Sequence, residues 1–407
     1  MRLLFVLPYG PSQTRVRSRM LLETLAQRHQ ITLVALVWDA ADLRALLAWR
    51  ERGVVVHPIG HGRGARLRSL CGDPRRPLQQ IASTSPRLAR TVRALLADAA
   101  RSGQPYDALH VEHLRGAAAL RLAADLPVRV VFDAVDCIAE LARLTRRHNP
   151  RPALRWVAAV EEGRTRRLET ALVGAADAVA VVAARDRDAL LSGGAAERIT
   201  VIPNGVPRFV RHGNLTAEPI VIFTGKLSYH ANAAALRLFL REIWPLVRGA
   251  VPAARLLVAG ADPPDWLRQV VGRDGVMLNA QPPEMLPLIA AARVAVAPMT
   301  YSVGVQNKVL EAMACAVPVV ATAAAAEGLL PAAEGRVLVE DASAAFAQRV
   351  VQLLGDDVLA ESLGLAGQEY VRAHHSWGQS AAQFEALYRA ESLDQLMTAD
   401  WDSTKVA

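Results

Sequence analysis

The chain has 407 residues, of which 52% are hydrophobic and 21% are charged, and its formal net charge is +8. This composition excludes an intrinsically disordered chain, and the length predicts two domains rather than a single core. The first apolar run, Leu3–Leu7, ends at Pro8 and is too short for a signal-peptide core or a spanning helix. No later run is long enough to span a membrane, so we expect a cytoplasmic protein.

Positive charge is concentrated in the first half of the chain. Residues 1–204 contain 31 arginines, no lysine and 19 acidic residues, giving +12, whereas residues 205–407 contain 16 basic and 20 acidic residues, giving −4. A basic half attracts nucleic acid, anionic lipid headgroups or phosphorylated substrates, and an arginine-rich base composition is the alternative explanation. Aromatic residues make up only 5% of the chain, so we expect no nucleic-acid partner, and contact with the inner face of an anionic membrane stays open.

The sequence predicts no metal site. The three cysteines lack metal-type spacing and are expected to be small buried residues: Cys71, Cys137 and Cys315. His110, Glu112 and His113 form an HxEH cluster, but this lacks the HExxH spacing of a zinc helix and has no further ligand nearby.

The first half alternates short apolar runs with helical patterns, which predicts a parallel sheet covered by helices. Its predicted strands are Leu3–Leu7, Ile31–Val37, Val54–Ile59, Ala108–Glu112, Val128–Asp133, Ala178–Val182 and Ile199–Ile202. Residues 60–86 are rich in glycine, proline and arginine and predict a long mobile loop that contacts the acceptor.

The same pattern restarts in the second half. Its predicted strands are Ile220–Thr224, Arg255–Ala259, Gly275–Leu278, Val294–Ala297, Val317–Ala321 and Arg336–Val339. The join reads VIPNGVP, in which Pro203, Asn204 and Gly205 interrupt regular structure. We therefore predict an α/β protein with two Rossmann-like domains facing across a cleft. They span residues 1–204 and 205–376, a helix at 377–393 returns to the first domain, and residues 394–407 form a frayed tail.

The first chemical candidate follows the predicted strand Val294–Ala297. A loop through Gly304 leads into a helix whose first turn carries Asn307 and Lys308, where free N–H groups and an ammonium suit a diphosphate. Glu311 lies one turn later, where a carboxylate can accept hydrogen bonds from both hydroxyls of a ribose. A solvent-exposed helix with a Lys308–Glu311 pair is the alternative interpretation.

These residues carry a family resemblance. NKVLEAMACAVPVVAT resembles the second half of the signature of retaining GT-B glycosyltransferases of the group 1 type, in which a helix reading LEAMA-x-G-x-PVVA follows a donor-binding loop. VIPNGV is similar to the family's linker, and FTGKLSYHAN to the strand and loop that open its second domain. The resemblance extends over the whole chain. It implies that Glu311 binds the ribose of a nucleoside diphosphate sugar and that Lys226 contacts the diphosphate.

Two departures from the family pattern affect the donor site. The family carries a glutamate that contacts the donor hexose at the position of Val303, and a second basic residue at the position of Asn232. Lys308 stands where many members have an apolar residue, so it is expected to supply the missing charge. This QNKVLEAMA version resembles a bacterial exopolysaccharide subset, some members of which accompany surface-sorting systems.

The second candidate is the segment PYGPSQTRVRSR after the first strand. Gly10 allows a close backbone turn, and Arg15 and Arg17 lie near the start of the next helix, which indicates a phosphate or acceptor contact. In the resembling subset an arginine tends to be kept at the position of Arg17. A solvated basic helix start is the alternative interpretation.

The third candidate is VVFDAVD, at the end of another first-half strand. Asp133 and Asp136 are the carboxylates placed to orient an acceptor hydroxyl or take its proton. Asp136 is alternatively a cap for the helix that begins near Cys137.

Together these features predict transfer of a hexose, with retention, from a nucleoside diphosphate sugar to a saccharide or lipid-linked saccharide in cell-surface glycan synthesis. The diphosphate would leave under electrostatic stabilisation, with no metal and no cofactor beyond the sugar nucleotide. The alternatives are a non-catalytic GT-B-like binding or scaffold subunit and a sugar-nucleotide 2-epimerase.

Overall fold

The computed structural model describes residues 1–12, 15–61, 75–116, 120, 127–191, 198–211, 215–329 and 333–391. They form two compact units. The first contains the described residues of 1–139, 161–203 and 377–391, and the second contains those of 140–160 and 204–376. None of the helices in these ranges combines the length and the apolarity that a membrane crossing requires.

The first unit is built on a seven-stranded sheet in which every pair of neighbouring strands is parallel. Its strand order is β3-β2-β1-β4-β5-β6-β7. The strands are β1 (Arg2–Leu7), β2 (Gln30–Val37), β3 (Val55–Gly60), β4 (Ala108–Glu112), β5 (Arg129–Val135), β6 (Ala178–Val181) and β7 (Ile199–Val201). The order reverses between β1 and β4, which is where open α/β sheets bind ligands beyond the strand ends.

Helices connect these strands and cover both faces of the sheet. They are α1 (Val16–Leu25), α2 (Ala40–Leu47), α3 (Leu78–Ser83), α4 (Pro86–Arg101), α5 (His113–Gly116), α6 (Ile138–His148), α7 (Pro152–Ala175) and α8 (Ala184–Leu190). The segment of 140–160, which contains most of α6 and the start of α7, packs with the second unit although its flanking residues belong to the first.

The second unit is built on a six-stranded sheet whose neighbouring strands are also parallel. Its order is β10-β9-β8-β11-β12-β13, with the reversal between β8 and β11. The strands are β8 (Ile220–Thr224), β9 (Arg255–Gly260), β10 (Val276–Ala280), β11 (Val294–Ala297), β12 (Val319–Ala321) and β13 (Leu338–Val339).

The helices of the second half follow the same alternation. They are α9 (His230–Leu238), continued by a π-helical turn (Phe239–Ile243), α10 (Trp244–Ala250), α11 (Asp265–Arg268), α12 (Leu286–Ala290), α13 (Asn307–Ala314), α14 (Ala323–Ala326), α15 (Ser343–Gly355) and α16 (Asp357–His374). A last helix, α17 (Trp377–Arg389), belongs to the first unit, where Phe384 and Tyr388 pack against Phe5 of β1.

The two predicted Rossmann-like sheets are confirmed, and each of the thirteen predicted strands forms within two residues of its predicted bounds. Strands buried on both faces of a parallel sheet contain continuous apolar residues, which makes them visible in sequence. Cys137 and Cys315 are free and buried as predicted, whereas Cys71 lies outside the described residues.

The predicted long loop at 60–86 is interrupted by structure. Residues 62–74 lie outside the described part of the chain, but α3 forms at Leu78–Ser83. Glu161 accepts a hydrogen bond from the Leu78 N–H at 2.7 Å, and Ile81 is buried. Pro77 was one of the residues that favoured the prediction of a loop. It directly precedes α3, and proline is also common beside a helix N-terminus.

Candidate functional site

The candidate site of the second unit lies where its strand order reverses, beyond the carboxyl ends of β8 and β11. The loop after β8 carries Gly225 and Lys226, and the loop after β11 leads through Gly304 into α13. Asn307 and Lys308 occupy the first turn of α13, and the helix start has no side-chain cap. Its first N–H groups therefore stay available for an anionic ligand.

Lys308 is held by three neighbours. Its Nζ donates a hydrogen bond to Asn232 Oδ1 at 2.6 Å, lies 3.6 Å from Met299 Sδ and sits 4.4 Å from the centre of the Phe223 ring. Asn232 in turn donates from Nδ2 to the Lys226 carbonyl oxygen at 2.9 Å. Asn232 thus links the ammonium of Lys308 to the loop after β8.

Lys308 and Glu311 are only partly exposed, and their charged forms are poorly solvated. Desolvation lowers the pKa of Lys308 to about 7, although Glu311 opposes the shift. Desolvation likewise raises the pKa of Glu311 to about 7, against the effect of Lys308. An incompletely solvated ammonium and carboxylate at a helix start favour one kind of ligand. Such a ligand has an anionic group that pairs with Lys308 and hydroxyl groups that donate hydrogen bonds to Glu311.

Glycines bring the loops of this site close together. A Cβ added to Gly225, which has φ +137°, would lie 2.9 Å from Asn232 Nδ2 and 3.5 Å from Lys308 Nζ. Gly304 has φ +64°, and a Cβ on Gly328 would lie 2.4 Å from its carbonyl oxygen. Any larger side chain at Gly225 would therefore fill the space beside the ammonium.

The other predicted donor residues have different surroundings. Asn307 accepts a hydrogen bond on Oδ1 from Asn204 Nδ2 at 3.1 Å, which ties α13 to the segment VIPNGV. Lys226 is about half exposed and pairs with Asp262 at 3.2 Å. The ammonium of Lys226 is therefore solvated and mobile compared with that of Lys308.

The loop after β11 carries a hydrogen-bonded group that the sequence did not reveal. The Tyr301 hydroxyl accepts from Asn149 Nδ2 at 2.7 Å and lies 2.6 Å from His230 Nδ1, and the two rings are stacked. Tyr301 and Asn149 are buried, and Val303 is 8% exposed. Partners separated by 152 residues leave no local signal in the sequence.

In the first unit, the predicted phosphate-contacting residues lie after β1. Gly10 packs so closely that a Cβ would lie 2.4 Å from the Asp42 carbonyl oxygen. Arg15 is exposed, immediately precedes α1, and its guanidinium stacks 4.1 Å from the centre of the Tyr9 ring. It therefore presents a charge to solvent at a helix start.

Arg17 and Asp133, by contrast, are engaged with each other. Arg17 Nε and Nη2 donate to the two Asp133 oxygens at 2.7 and 3.0 Å, and Nη1 donates to the Ile202 carbonyl oxygen at 3.1 Å. Arg17 is 6% exposed and Asp133 is fully buried. Direct contact of either group with a substrate would require this pair to separate.

Glu112 and His110 extend the buried cluster. Glu112 Oε1 accepts hydrogen bonds from Tyr9 and from Ser18, the latter at 2.7 Å, and desolvation together with Asp133 raises its pKa to about 7. Desolvation lowers the pKa of His110 to about 4, and its Nδ1 lies 2.9 Å from the Tyr388 hydroxyl. At neutral pH the imidazole is uncharged.

His110, Glu112 and Asp133 place potential ligand atoms within 4.8 Å of one another, as a metal site would. The His113 side chain is not part of this group. Arg17 already neutralises Asp133 with two hydrogen bonds, so a cation would have to displace a buried guanidinium. This donor set therefore fits a metal poorly, and it fits a proton-sharing polar network better.

Asp136 accepts none of the hydrogen bonds described for this network, although Arg17 and Asp133 act on it electrostatically, and it is only partly exposed. Desolvation and the neighbouring Asp186 raise its pKa to about 7. It follows Val135, whose φ of +66° is unusual for a β-branched residue and coincides with an irregularity in the pairing of β5. Strain at this strand end directs the chain out of the sheet just before Asp136.

Asp136 does not cap α6, which was the alternative interpretation. Asp186 accepts from the Cys137 N–H at 3.0 Å, and Glu169 accepts from the N–H groups of Ile138 and Ala139 at 2.6 and 3.2 Å. These caps come from α7 and α8, far away in sequence. The carboxylate of Asp136 is thereby left for another role.

Sequence profiles of two families match consecutive parts of this chain. The profile described as "Glycosyl transferase 4-like domain" matches residues 14–205, and the one described as "Glycosyl transferases group 1" matches residues 218–356. The two matches lie on either side of residues 206–217. Both profiles describe glycosyltransferases, and the profile that matches the second half of the chain is that of group 1. The two Rossmann-like sheets of the chain are those of the GT-B fold.

A curated relative of this chain is the alpha-maltose-1-phosphate synthase of Mycolicibacterium smegmatis. It is 31% identical over 266 residues, and the aligned region covers 55% of this chain and 66% of the relative. The alignment thus spans just under two thirds of the relative's length.

Solved structures share the whole fold at low sequence identity. Anabaena HepE in complex with UDP has a TM-score of 0.68 and 14% identity, with 96% of this chain and 100% of HepE covered. A glycosyltransferase from Rickettsia africae has a TM-score of 0.67 and 11% identity, with 98% and 99% covered. S. aureus TarM has a TM-score of 0.66 and 11% identity, with 95% and 99% covered. At these identities the likeness establishes the GT-B fold.

Proposed function

We propose that this chain is a group 1 glycosyltransferase that transfers a hexose from a nucleoside diphosphate sugar to a saccharide or lipid-linked saccharide. The observation that carries the proposal is the partly buried position of Lys308 and Glu311 on one face at the start of α13, with Lys308 Nζ held by Asn232 at 2.6 Å. In this proposal Glu311 accepts hydrogen bonds from the ribose hydroxyls. Lys308 and the uncapped helix start bind the diphosphate.

The proposed chemistry is electrostatic. Cleavage of the bond to the anomeric carbon leaves negative charge on the diphosphate, which Lys308 stabilises from a fixed position beside Asn232. Lys226 adds a solvated charge from the loop after β8. This arrangement requires neither a metal nor a protein nucleophile, so we propose turnover without divalent ions. We propose retention at the anomeric carbon because the signature around Glu311 resembles that of the retaining glycosyltransferases.

The first unit supplies the proposed acceptor side. Asp136 is the carboxylate placed to orient the acceptor hydroxyl or receive its proton, and Arg15 with the turn at Gly10 contacts acceptor phosphate. Arg17 and Asp133 position the strand ends rather than contact the acceptor. A phosphorylated, lipid-linked acceptor suits these residues, and synthesis of exopolysaccharide or another cell-surface glycan at the inner face of the membrane is the proposed setting.

The test of this proposal is a panel of radiolabelled nucleoside diphosphate sugars, incubated with lipid extract or soluble saccharides and with EDTA. We expect acceptor-dependent release of nucleoside diphosphate and a labelled product. Nucleotide binding without turnover would instead support the scaffold subunit, and a changed sugar released without any acceptor would support the 2-epimerase. Anomeric configuration of the product, read by NMR, tests retention.

Substitution of Glu311 by glutamine is expected to weaken donor binding. Glutamine lacks the negative charge with which the Glu311 carboxylate accepts hydrogen bonds from the ribose hydroxyls. The loss should raise the Kd of the donor by ~10- to 100-fold. Isothermal titration with the preferred sugar nucleotide measures it. Glu334→Gln, an exposed carboxylate of the same unit, is the matched control and should leave Kd unchanged. Equal Kd values for Glu311→Gln and the wild type would contradict the ribose assignment.

Substitution of Asp136 by asparagine is expected to lower kcat ~10²-fold or more, as for loss of a proton acceptor. Thermal stability should stay unchanged, because Asp186 and Glu169 cap α6. Wild-type kcat should also fall as pH drops below about 7, where Asp136 takes up a proton. A pH–rate profile that is identical in Asp136→Asn and the wild type would rule this role out.

A further inference from the structure

A basic segment joins α6 to α7. Residues 141–160 contain five arginines and no acidic residue: Arg143, Arg146, Arg147, Arg151 and Arg155. All of these except Arg143 are exposed, and His148 is exposed beside them. Arg143 pairs with Glu140, and the density of positive charge in the rest of the segment produces a local positive potential.

An apolar stripe lies directly beside these charges. Trp156 is 71% exposed, and Val157 and Val160 are each 37% exposed. Positions 156, 157 and 160 share one face of α7, because residues three and four apart lie on the same side of a helix. The opposite face is the packed one, since Ala158 is buried and Leu154 is half-buried. We call the exposed residues Arg147, Arg151, Trp156, Val157 and Val160 the α7 patch.

The next turn of α7 does not neutralise the α7 patch. Glu161 pairs with Arg164 at 3.1 Å and accepts from the Leu78 N–H, and Glu162 lies 3.9 Å from Arg166. These acidic residues are occupied by their own arginines. The charge of the α7 patch is therefore available to an external anionic partner.

We propose that the α7 patch is a membrane-docking surface that binds anionic lipid headgroups and inserts Trp156 at the interface. Arginine next to an anionic leaflet and tryptophan at headgroup depth are the residues that this environment favours. Valine side chains beside the indole add apolar area that a nucleic acid would not cover. The α7 patch thus fits a lipid surface, and a partner protein or a second copy of the chain is an outcome that the test separates.

This inference rests on the proposed function only because a lipid-linked acceptor is expected at a membrane. Lipid binding is measured without any substrate, so its failure is distinguishable from a failure of the proposed activity. Sedimentation with phosphatidylcholine vesicles, with and without phosphatidylglycerol, is the experiment. We expect wild-type protein to bind only vesicles that contain phosphatidylglycerol, and high salt to weaken the binding. Arg147→Glu/Arg151→Glu should weaken it by at least about tenfold, and Trp156→Ser by about tenfold.

Matched control variants show whether a loss of lipid binding is specific to the α7 patch. Arg87→Glu/Arg93→Glu changes the same charge on exposed positions of α4, and Val358→Ser removes an exposed apolar side chain beside Asp356 and Asp357. Both controls should bind vesicles like the wild type, and all variants should keep transfer to a soluble acceptor. The proposal is overturned if the patch variants bind like the wild type or if the controls weaken binding equally. It is also overturned if sedimentation without lipid shows self-association that Trp156→Ser abolishes.

Discussion

Replacement of Lys308 by methionine is expected to lower turnover ~10²- to 10³-fold, as for loss of one preorganised charge contact in a transition state. Thermal stability should be equal or higher, because methionine removes a desolvated ammonium and keeps an apolar chain against Phe223. Steady-state kinetics with the preferred sugar nucleotide and thermal melting measure the two quantities. Lys226→Met is the comparison variant, with a smaller expected loss because Lys226 is half exposed and paired with Asp262.

The pH dependence of donor binding offers a second measurement on the same group. A bound diphosphate raises the pKa of Lys308 above about 7, so affinity should be full below that pH and fall above it. A bound ribose lowers the pKa of Glu311 below about 7, so affinity should be full above that pH and fall below it. The wild type should bind donor most tightly near neutral pH. Lys308→Met should lose the alkaline decline, and an unchanged profile together with wild-type turnover would contradict the assignment.

Removal of the Asp133 carboxylate by Asp133→Ala is expected to lower the free energy of unfolding by about 3–5 kcal/mol. The physical reason is that Arg17 would keep a buried charge without its partner, since Asp133 accepts two of its hydrogen bonds. Denaturant titration of the full chain, followed by circular dichroism, measures the loss.

The double variant Arg17→Met/Asp133→Leu shows whether the lost stability comes from the unpaired buried charge of Arg17. Because it removes both ions and fills the space with apolar atoms, it should be more stable than Asp133→Ala alone. Full stability of Asp133→Ala combined with a large loss of kcat would contradict the positioning role. Asp133 would then act on the acceptor directly, as the sequence had suggested.

The fold was predictable because its signals are local. Each buried parallel strand contains a continuous apolar run, such as Val294–Ala297, and the joining segment has a proline on each side of Gly205. Lys308 and Glu311 were also visible, because three-residue spacing on a helix brings two side chains to one face. These signals need no knowledge of distant contacts.

What the sequence did not reveal depends on long-range pairing. Asn149 meets Tyr301 across 152 residues, and Glu169 caps α6 from 31 residues further on. The burial of Arg17 was also hidden, because an arginine near a helix start has the same local pattern whether it faces solvent or a buried carboxylate. The grouping of 140–160 with the second unit likewise follows from tertiary packing and not from composition.

The most direct test of the central claim is a crystal structure with a bound nucleoside diphosphate sugar, chosen as the tightest ligand in the titration panel. The account predicts ribose hydroxyls within hydrogen-bonding distance of Glu311 and the diphosphate beside Lys308 at the start of α13. A nucleotide that binds elsewhere, with Lys308 and Asn232 still paired and no ligand at Glu311, would contradict it.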